Sequence, residues 1–252
     1  MKISFILRLL FLISLYLLFA NEGIYGQYSI FLREGSIEYE RKFNQHSILD
    51  PNQSWGRNSI ESESKFRTES FTLDFNQSFS IYRPTVEIVS PKSFYLSLPA
   101  QENLVYKDHE KRTSLIKRKI FESENLIRQN LNFIQWKITS ETRLIAGFEC
   151  KRANAVIFDS VYVIAYYCEQ MPISSGPESF SGLPGMILGL AIPDLLTTWF
   201  ATKITSKSVL LNNPILTNRR EIQTSSAFQN KLKDAFLNHG IYSFIFYTFA
   251  IL

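Results

Sequence analysis

Between Ile134 and Cys168 the chain alternates apolar and polar side chains with a period of two. A segment patterned this way can satisfy one buried face only as β-strands held in one register. "IQWKI" puts Ile134, Trp136 and Ile138 on one side, and "LIAGFEC" puts Leu144, Ala146, Phe148 and Cys150 on one side. A turn over Ser140–Thr142 would set 138 against 144, 136 against 146 and 134 against 148. A second turn at Phe158–Ser160 would set 156 against 162, 154 against 164 and 150 against 168. The expected buried face then continues through Tyr162, Ile164 and Tyr166. This register puts Cys150 directly across from Cys168. Cross-strand neighbours lie about 4.5–5.5 Å apart, a spacing a disulfide can bridge. Closing that loop is worth about 3 kcal/mol on the chain-entropy account. Two buried thiols acting as small hydrophobes are the alternative.

Period-two segments dominate elsewhere too. "GSIEYERKF" places Ile37, Tyr39 and Phe43 on one face and Glu38, Glu40 and Lys42 on the other. "FTLDFNQSFSIY" alternates through Phe71, Leu73 and Phe75, turns at Asn76-Gln77 and resumes at Phe79 and Ile81. The polar stretch from His46 to Lys65 reads as a loop. Pro84, Pro91 and Pro99 make the next stretch loop or edge strand. Strand-like patterning returns at Leu104–Lys107 and Thr113–Phe121. A single strong helix signal lies near the end, with Ala227, Leu232, Ala235 and Phe236 at helical spacing and Gly240 as a stop. The expected fold is therefore mainly β (α+β): a single curved antiparallel sheet or half-open barrel with one or two packed helices. It occupies residues 27–240. Residues 241–252, "IYSFIFYTFAIL", carry no charge and are too few to cross a bilayer as a helix. They read as a strand buried on both faces or a core-packing end, with a membrane-surface tail as the alternative.

The first residues stand apart. Lys2 and Arg8 precede an uncharged apolar run from Leu9 to Ala20. That is the length of a signal-peptide core and too short for a membrane span. Small residues follow, and cleavage between Gly26 and Gln27 leaves residues 1–26 as the leader; cleavage after Ala20 is the alternative. Export places both cysteines in an oxidising compartment. The net charge of +4 on 252 residues is too mild to argue for nucleic acid as a partner.

Catalytic patterns are weak. Around Ser181, "SFSGLPG" lacks the first glycine of a nucleophile elbow. Ser114 and Lys117 make a Ser-x-x-Lys, but on a strand they point to opposite faces. His46, His109 and His239 are far apart in polar contexts, and Asp108–Glu110 reads as a solvated turn rather than a metal site. No cofactor motif is present, and the metal and catalytic assignments are none. The basic run Lys107–Lys119 fits either anionic head groups or charged strand residues facing water. Asp159–Val161 lies at a predicted hairpin tip, where Ser160 would accept O-linked sugar in bacteria that modify Asp-Ser-aliphatic sites.

"GPESFSGLPGMILGL", Gly176–Leu190, is rich in glycine, proline and aliphatics, with Glu178 as its one charge. Leu183-Pro184-Gly185-Met186 fits a type II turn, with proline second and a glycine at φ > 0 third. Gly182 suits a close backbone approach, and "MILGLAI" reads as a buried strand. The expectation is a rigid turn feeding a core strand, with direct ligand contact as the alternative.

This stretch and what precedes it resemble the GLPGLI family of secreted bacterial proteins. The resemblance rests on Trp136, the run from Ile145 to Ala153, Tyr166-Tyr167, Pro172, Gly176-Pro177, Phe180 and the motif Gly182, Leu183, Pro184, Gly185. Met186-Ile187 stands where the family has Leu-Ile, and Ser160-Val161 where it has Gly-Arg. The position of Cys168 is commonly not cysteine in that family. The resemblance implies an exported envelope protein, periplasmic or associated with the outer membrane, working beside an outer-membrane uptake receptor. A non-enzymatic binding or accessory module for a hydrophobic ligand or a protein partner is the expected function. A hydrolase with a dispersed active site and a structural component of an outer-membrane complex are the alternatives.

Overall fold

Ile37, Tyr39, Arg41 and Phe43 all point inward from strand β1 (Gly35–Asn44), and each is buried. The computed structural model describes residues 31–86, 101–120, 123–131, 134–215, 221–236 and 241–252. The leader, its cleavage site, His239, Gly240 and most of the Pro84–Pro99 stretch lie outside the described residues.

Six strands form one antiparallel meander: β1, then β2 (Phe66–Phe75), β3 (Phe79–Pro84), β4 (Leu104–Asp108), β5 (Thr113–Ile120) and β6 (Ser123–Asn130). Five form a second: β7 (Lys137–Ile145), β8 (Phe148–Ile157), β9 (Val161–Cys168), β10 (Met186–Ile192) and β11 (Thr197–Thr205). The two are joined by antiparallel pairing of β1 with β11. A short β12 (Ile222–Thr224) lies parallel to β6 at one edge, and β7 is the other edge. Among the described residues this is one open twelve-stranded sheet. Register shifts at Glu38/Tyr39, Ile187/Gly189 and Ile138/Thr142 mark bulges, which bend and twist a sheet locally.

Three α-helices are described: α1 (Ser54–Ser62), α2 (Ser225–Phe236) and α3 (Ile241–Ile251). The His46–Lys65 stretch therefore holds helix as well as loop. The main core runs along one side of the sheet and takes in Phe43, Phe71, Val105, Ile116, Val163, Phe180 and, from α2, Phe228 and Leu232. The C-terminal residues join that core as a helix, not a strand. Ile245, Phe249, Ala250, Ile251 and Leu252 are buried, and Phe249 meets Phe43 edge to face at 5.8 Å. A helix closes its own backbone hydrogen bonds, so an uncharged segment can be buried in this form without a neighbouring strand. No described helix is long and apolar enough to cross a membrane. A smaller core on the opposite side of β3–β6 holds Ile81, Tyr106, Leu115 and Leu126 under Ile215.

The central hairpin is part expected and part corrected. The turn at Phe158–Ser160 and the pairs 156–162 and 154–164 are as expected. The earlier turn falls at Ala146-Gly147, not Ser140–Thr142, so Ile145 pairs with Phe148 and Arg143 with Cys150. Ala146 and Gly147 take φ of 48° and 86°, the left-handed pair that a two-residue hairpin needs. The buried face of β9 is Val161, Val163, Ala165 and Tyr167; Tyr162 is exposed, and Ile164 and Tyr166 half-buried. The inward positions of β8 and β9 include Ala153, Val163 and Ala165, in the same core as Ile173, Phe180 and Leu183. Small side chains there leave room for the segment that follows β9.

Candidate functional site

The segment between β9 and β10 is held inside the sheet by buried charges. Glu178 is 1% exposed and sits at φ 48°. Its Oε2 accepts from Asn103 Nδ2 at 2.8 Å, and its Oε1 lies 3.5 Å from the Arg41 guanidinium. Arg41 Nε donates to Glu69 Oε2 at 2.7 Å. Lys107, also 1% exposed, donates from Nζ to the carbonyls of Gly176 and Phe180 at 2.8 Å each. Ser175 and Ser80 share a hydrogen bond of 2.8 Å. Trp136 Nε1 donates to Ser181 O at 2.9 Å. The carbonyls at both ends of this bend and the carboxylate within it are therefore fixed by side chains from β1, β3, β4 and the chain preceding β7.

Burial is the dominant influence on these charges. It would lower Arg41, but Glu69 and Glu178 more than offset it and hold the guanidinium charged. Burial pulls Lys107 down to about 7, with Glu178 opposing. Arg118 falls to about 10 for the same reason, and one of its Nη atoms donates to the carbonyl of Ala250 in α3. Strongly perturbed groups often mark active sites when they line a cleft. Here they are sealed from solvent: Lys107 and Arg41 hold the segment through its carbonyls and Glu178, and Arg118 holds α3. The basic run Lys107–Lys119 is thus not uniformly water-facing, because two of its members are interior.

The family-motif turn behaves differently from the expectation. Gly185 does not occupy the left-handed region; Gly182 does, at φ 98°. What requires glycine at 185 is space, since a Cβ there would lie 2.2 Å from the Cys168 carbonyl oxygen. Leu183 is buried, Pro184 exposed, and Met186 N then donates to Met171 O at 2.9 Å. The buried β10 strand follows as expected.

An open cleft of about 540 Å³ lies against the outer side of this locked segment. Pro172, Ile173, Ser174, Ser181 and Gly182 form one wall, while Arg33, Gln77, His109, Arg112 and Leu131 form the rest. The amide of Gly182 donates to Ser174 Oγ at 2.7 Å, fixing that rim. His109 is half-buried with Nε2 lacking a hydrogen-bond partner. Burial first, and then Lys107, lower its pKa to about 4, so it is neutral near pH 7.

Cys150 and Cys168 are buried free thiols at the far end of the β8–β9 ladder, where its register sets them across from one another. A hydrogen bond between them raises Cys150 and lowers Cys168 to about 7. Ser160 is exposed at the hairpin tip. His46 bonds the carbonyl of Glu63. No group of three or more metal-ligating side chains occurs among the described residues.

A family model described as a protein of unknown function (Porph_ging) matches residues 155–189, from β8 through the locked segment into β10. The search of curated proteins gives no match. Two solved structures of PNGF-II, in P21 and C2 space groups, are similar with TM-scores of 0.53 and 0.51, each at 15% identity. They cover 79% and 76% of this chain and 32% and 30% of the PNGF-II chain. The chain thus spans about a third of the length of those structures, and at that identity the likeness is one of fold.

Proposed function

We propose that this protein is a non-enzymatic binding module of the bacterial envelope, and that its ligand or partner enters the cleft beside the locked segment. The observation that carries this reading is the pairing of a rigid wall with an open cavity. Gly176–Phe180 is held by Lys107 and Glu178, and the cleft beside it falls within the roughly 300–1,000 Å³ of small-molecule sites. A preformed site loses less entropy on binding than one that must order first. The side of the sheet that would carry a hydrophobic ligand is occupied by α3 and by Phe180 and Leu183. An apolar ligand therefore has its place in the cleft, against Leu131, Pro172 and Ile173.

Membership of the GLPGLI family, export through residues 1–26 and work beside an outer-membrane receptor belong to this proposal. They rest on the leader pattern and on the motif resemblance. Sugar on Ser160 belongs to it as well, and the mass of the peptide containing Asp159–Val161 tests it.

The test is native mass spectrometry of protein purified from its own envelope. A co-purifying small molecule or polypeptide that is lost in Ser174→Trp, which fills the cleft mouth, is the expected result. A bare monomer from both proteins would overturn the reading.

A further inference from the structure

We infer that a second site, between the tip of the β8–β9 hairpin, α2 and α3, takes a neutral amphiphile. The hydroxyl- or amide-bearing head lies among Gln129, Ser179, Ser225 and Gln229, and the apolar tail against Phe158, Phe244 and Tyr247. This site is separate from the cleft at Ser174 and does not rest on the binding reading above.

The first observation is a change of polarity between two adjoining hollows. One of about 320 Å³ and one of about 250 Å³ are both lined by Phe158 and Ile251. Gln129, Gln135, Ser179, Ser225 and Gln229 line the larger, which has the size of a small-molecule site. Val161, Phe244 and Tyr247 line the smaller. Thr248 there has its hydroxyl engaged within α3, donating to Phe244 O at 2.7 Å. One end of the groove is therefore rich in polar side chains and the other is apolar.

The second observation is the kind of polarity. No described side chain lining either hollow is charged. Amides and hydroxyls both donate and accept. They match hydroxyls or an amide on a ligand but offer no countercharge, and an ion taken out of water without one is penalised. Gln229 Nε2 donates to Ser225 Oγ at 3.4 Å, and Ser179 Oγ donates to Leu252 O. These bonds hold the polar end in place before a ligand arrives, which lowers the entropy lost on binding.

The third observation is Phe158. It holds φ at 49°, and Asp159 follows at 65°. Glycine and asparagine suit that left-handed region, and a bulky aromatic is an outlier there. Phe158 is nonetheless 43% exposed, as Phe244 is at 41%, so burial in the core offsets little of the strain. A tail lying along the smaller hollow covers both rings. Backbone strain of this kind clusters where ligands are clamped.

The test is amide-resolved NMR titration of the purified protein with octyl glucoside, octanoate and octyltrimethylammonium, each below its micelle concentration. The expected result is that octyl glucoside shifts the Ser179, Ser225 and Ile251 amides and binds roughly tenfold tighter than either ion. Phe158→Gly should weaken it roughly tenfold while leaving the thermal midpoint no lower, because glycine removes the ring and relieves the turn. Gln229→Leu, which keeps the volume and loses the amide, should weaken it about fivefold. If Phe158→Gly proves less stable, Gln229→Leu alone decides. Shifts confined to Ser174 and Gly182 would overturn the inference and speak for the other cleft. Either ion binding as tightly as octyl glucoside, full affinity in the deciding variant, or no shift with any probe would also overturn it, and the binding reading is then judged separately by the native-mass adduct.

Discussion

Arg41 and Glu178 meet 3.5 Å apart in the interior, one carried by β1 and the other by the segment between β9 and β10. Their exposures are 2% and 1%. A buried pair adds little net stability when intact, but losing one member leaves a charge without compensation, at a cost of about 3–5 kcal/mol. Glu178→Ala should destabilise toward the lower end of that range, because Glu69 still pairs with Arg41. Glu178→Gln, which keeps the acceptor for Asn103, should cost less. Urea unfolding followed by tryptophan fluorescence measures both, and equal stability of Glu178→Ala and wild type would show that the segment is not locked this way.

Lys107 gives the fold a pH signature. Its folded pKa is about 7 against an ordinary 10.5. Between those values the unfolded chain binds the extra proton, so stability rises with pH across the window, by at most about 1.4 kcal/mol per unit from this group. Below about 7 both states carry the charge and the contribution is absent. Lys107→Met should flatten the rise between pH 7 and 10 in a series of urea midpoints. An unchanged slope in the variant would assign the rise to another group.

The strands and the β8–β9 register were legible because alternation and turn chemistry agree, as at Phe158–Ser160. Which face of that hairpin points inward was not, since both carry apolar residues: Ala153, Val163 and Ala165 on one, Val156, Tyr162 and Tyr166 on the other. The inner face proved to be the one with smaller side chains, and its reason is a segment that is remote until folded. The interior charges left a fainter signal. Arg41 falls between Tyr39 and Phe43 at inward parity, Glu69 precedes Phe71 and Leu73, Lys107 follows Val105, and Arg118 lies between Ile116 and Ile120. Parity placed them inside while charge argued for outside, and parity won because each finds a partner. Glu178 sits in irregular chain, where no period exists to read. Arg33, His109 and Arg112 meet residues 172–174 only through the tertiary fold, so the cleft had no local signature. The last eleven-residue helix is uncharged and mostly apolar, and periodicity cannot separate a buried helix from a buried strand in such a run.

Gly182 and Gly185 should separate in mutagenesis. A Cβ at 185 would stand 2.2 Å from Cys168 O and 2.7 Å from its carbonyl carbon. Both are backbone atoms of a paired strand and cannot yield. Gly185→Ala should cost on the order of 3 kcal/mol or more. At Gly182 the nearest atom is Trp136 Nε1 at 3.3 Å, on a side chain, and the penalty is chiefly that of φ 98°, about 1–3 kcal/mol. Thermal midpoints of the two alanine variants check this order. A Gly182→Ala protein less stable than Gly185→Ala would mean that the left-handed turn, and not the close approach, makes this motif need glycine.

The two cysteines supply the remaining prediction. They are 0% exposed and unlinked, at positions the β8–β9 register sets opposite one another. Cross-strand neighbours at that spacing can be bridged with little backbone movement. Cys168, lowered to about 7 by the hydrogen bond from Cys150, is the thiol of the pair that ionises first. In protein exported to an oxidising compartment, non-reducing peptide mapping should recover the Cys150 and Cys168 peptides joined, and reduction should lower stability by about 3 kcal/mol. In reduced protein, both thiols should resist alkylation until the sheet unfolds, because neither reaches solvent. Two thiols freely alkylated in the exported protein would sink the disulfide, and alkylation of native reduced protein at the unfolded rate would show that this end of β8–β9 opens readily.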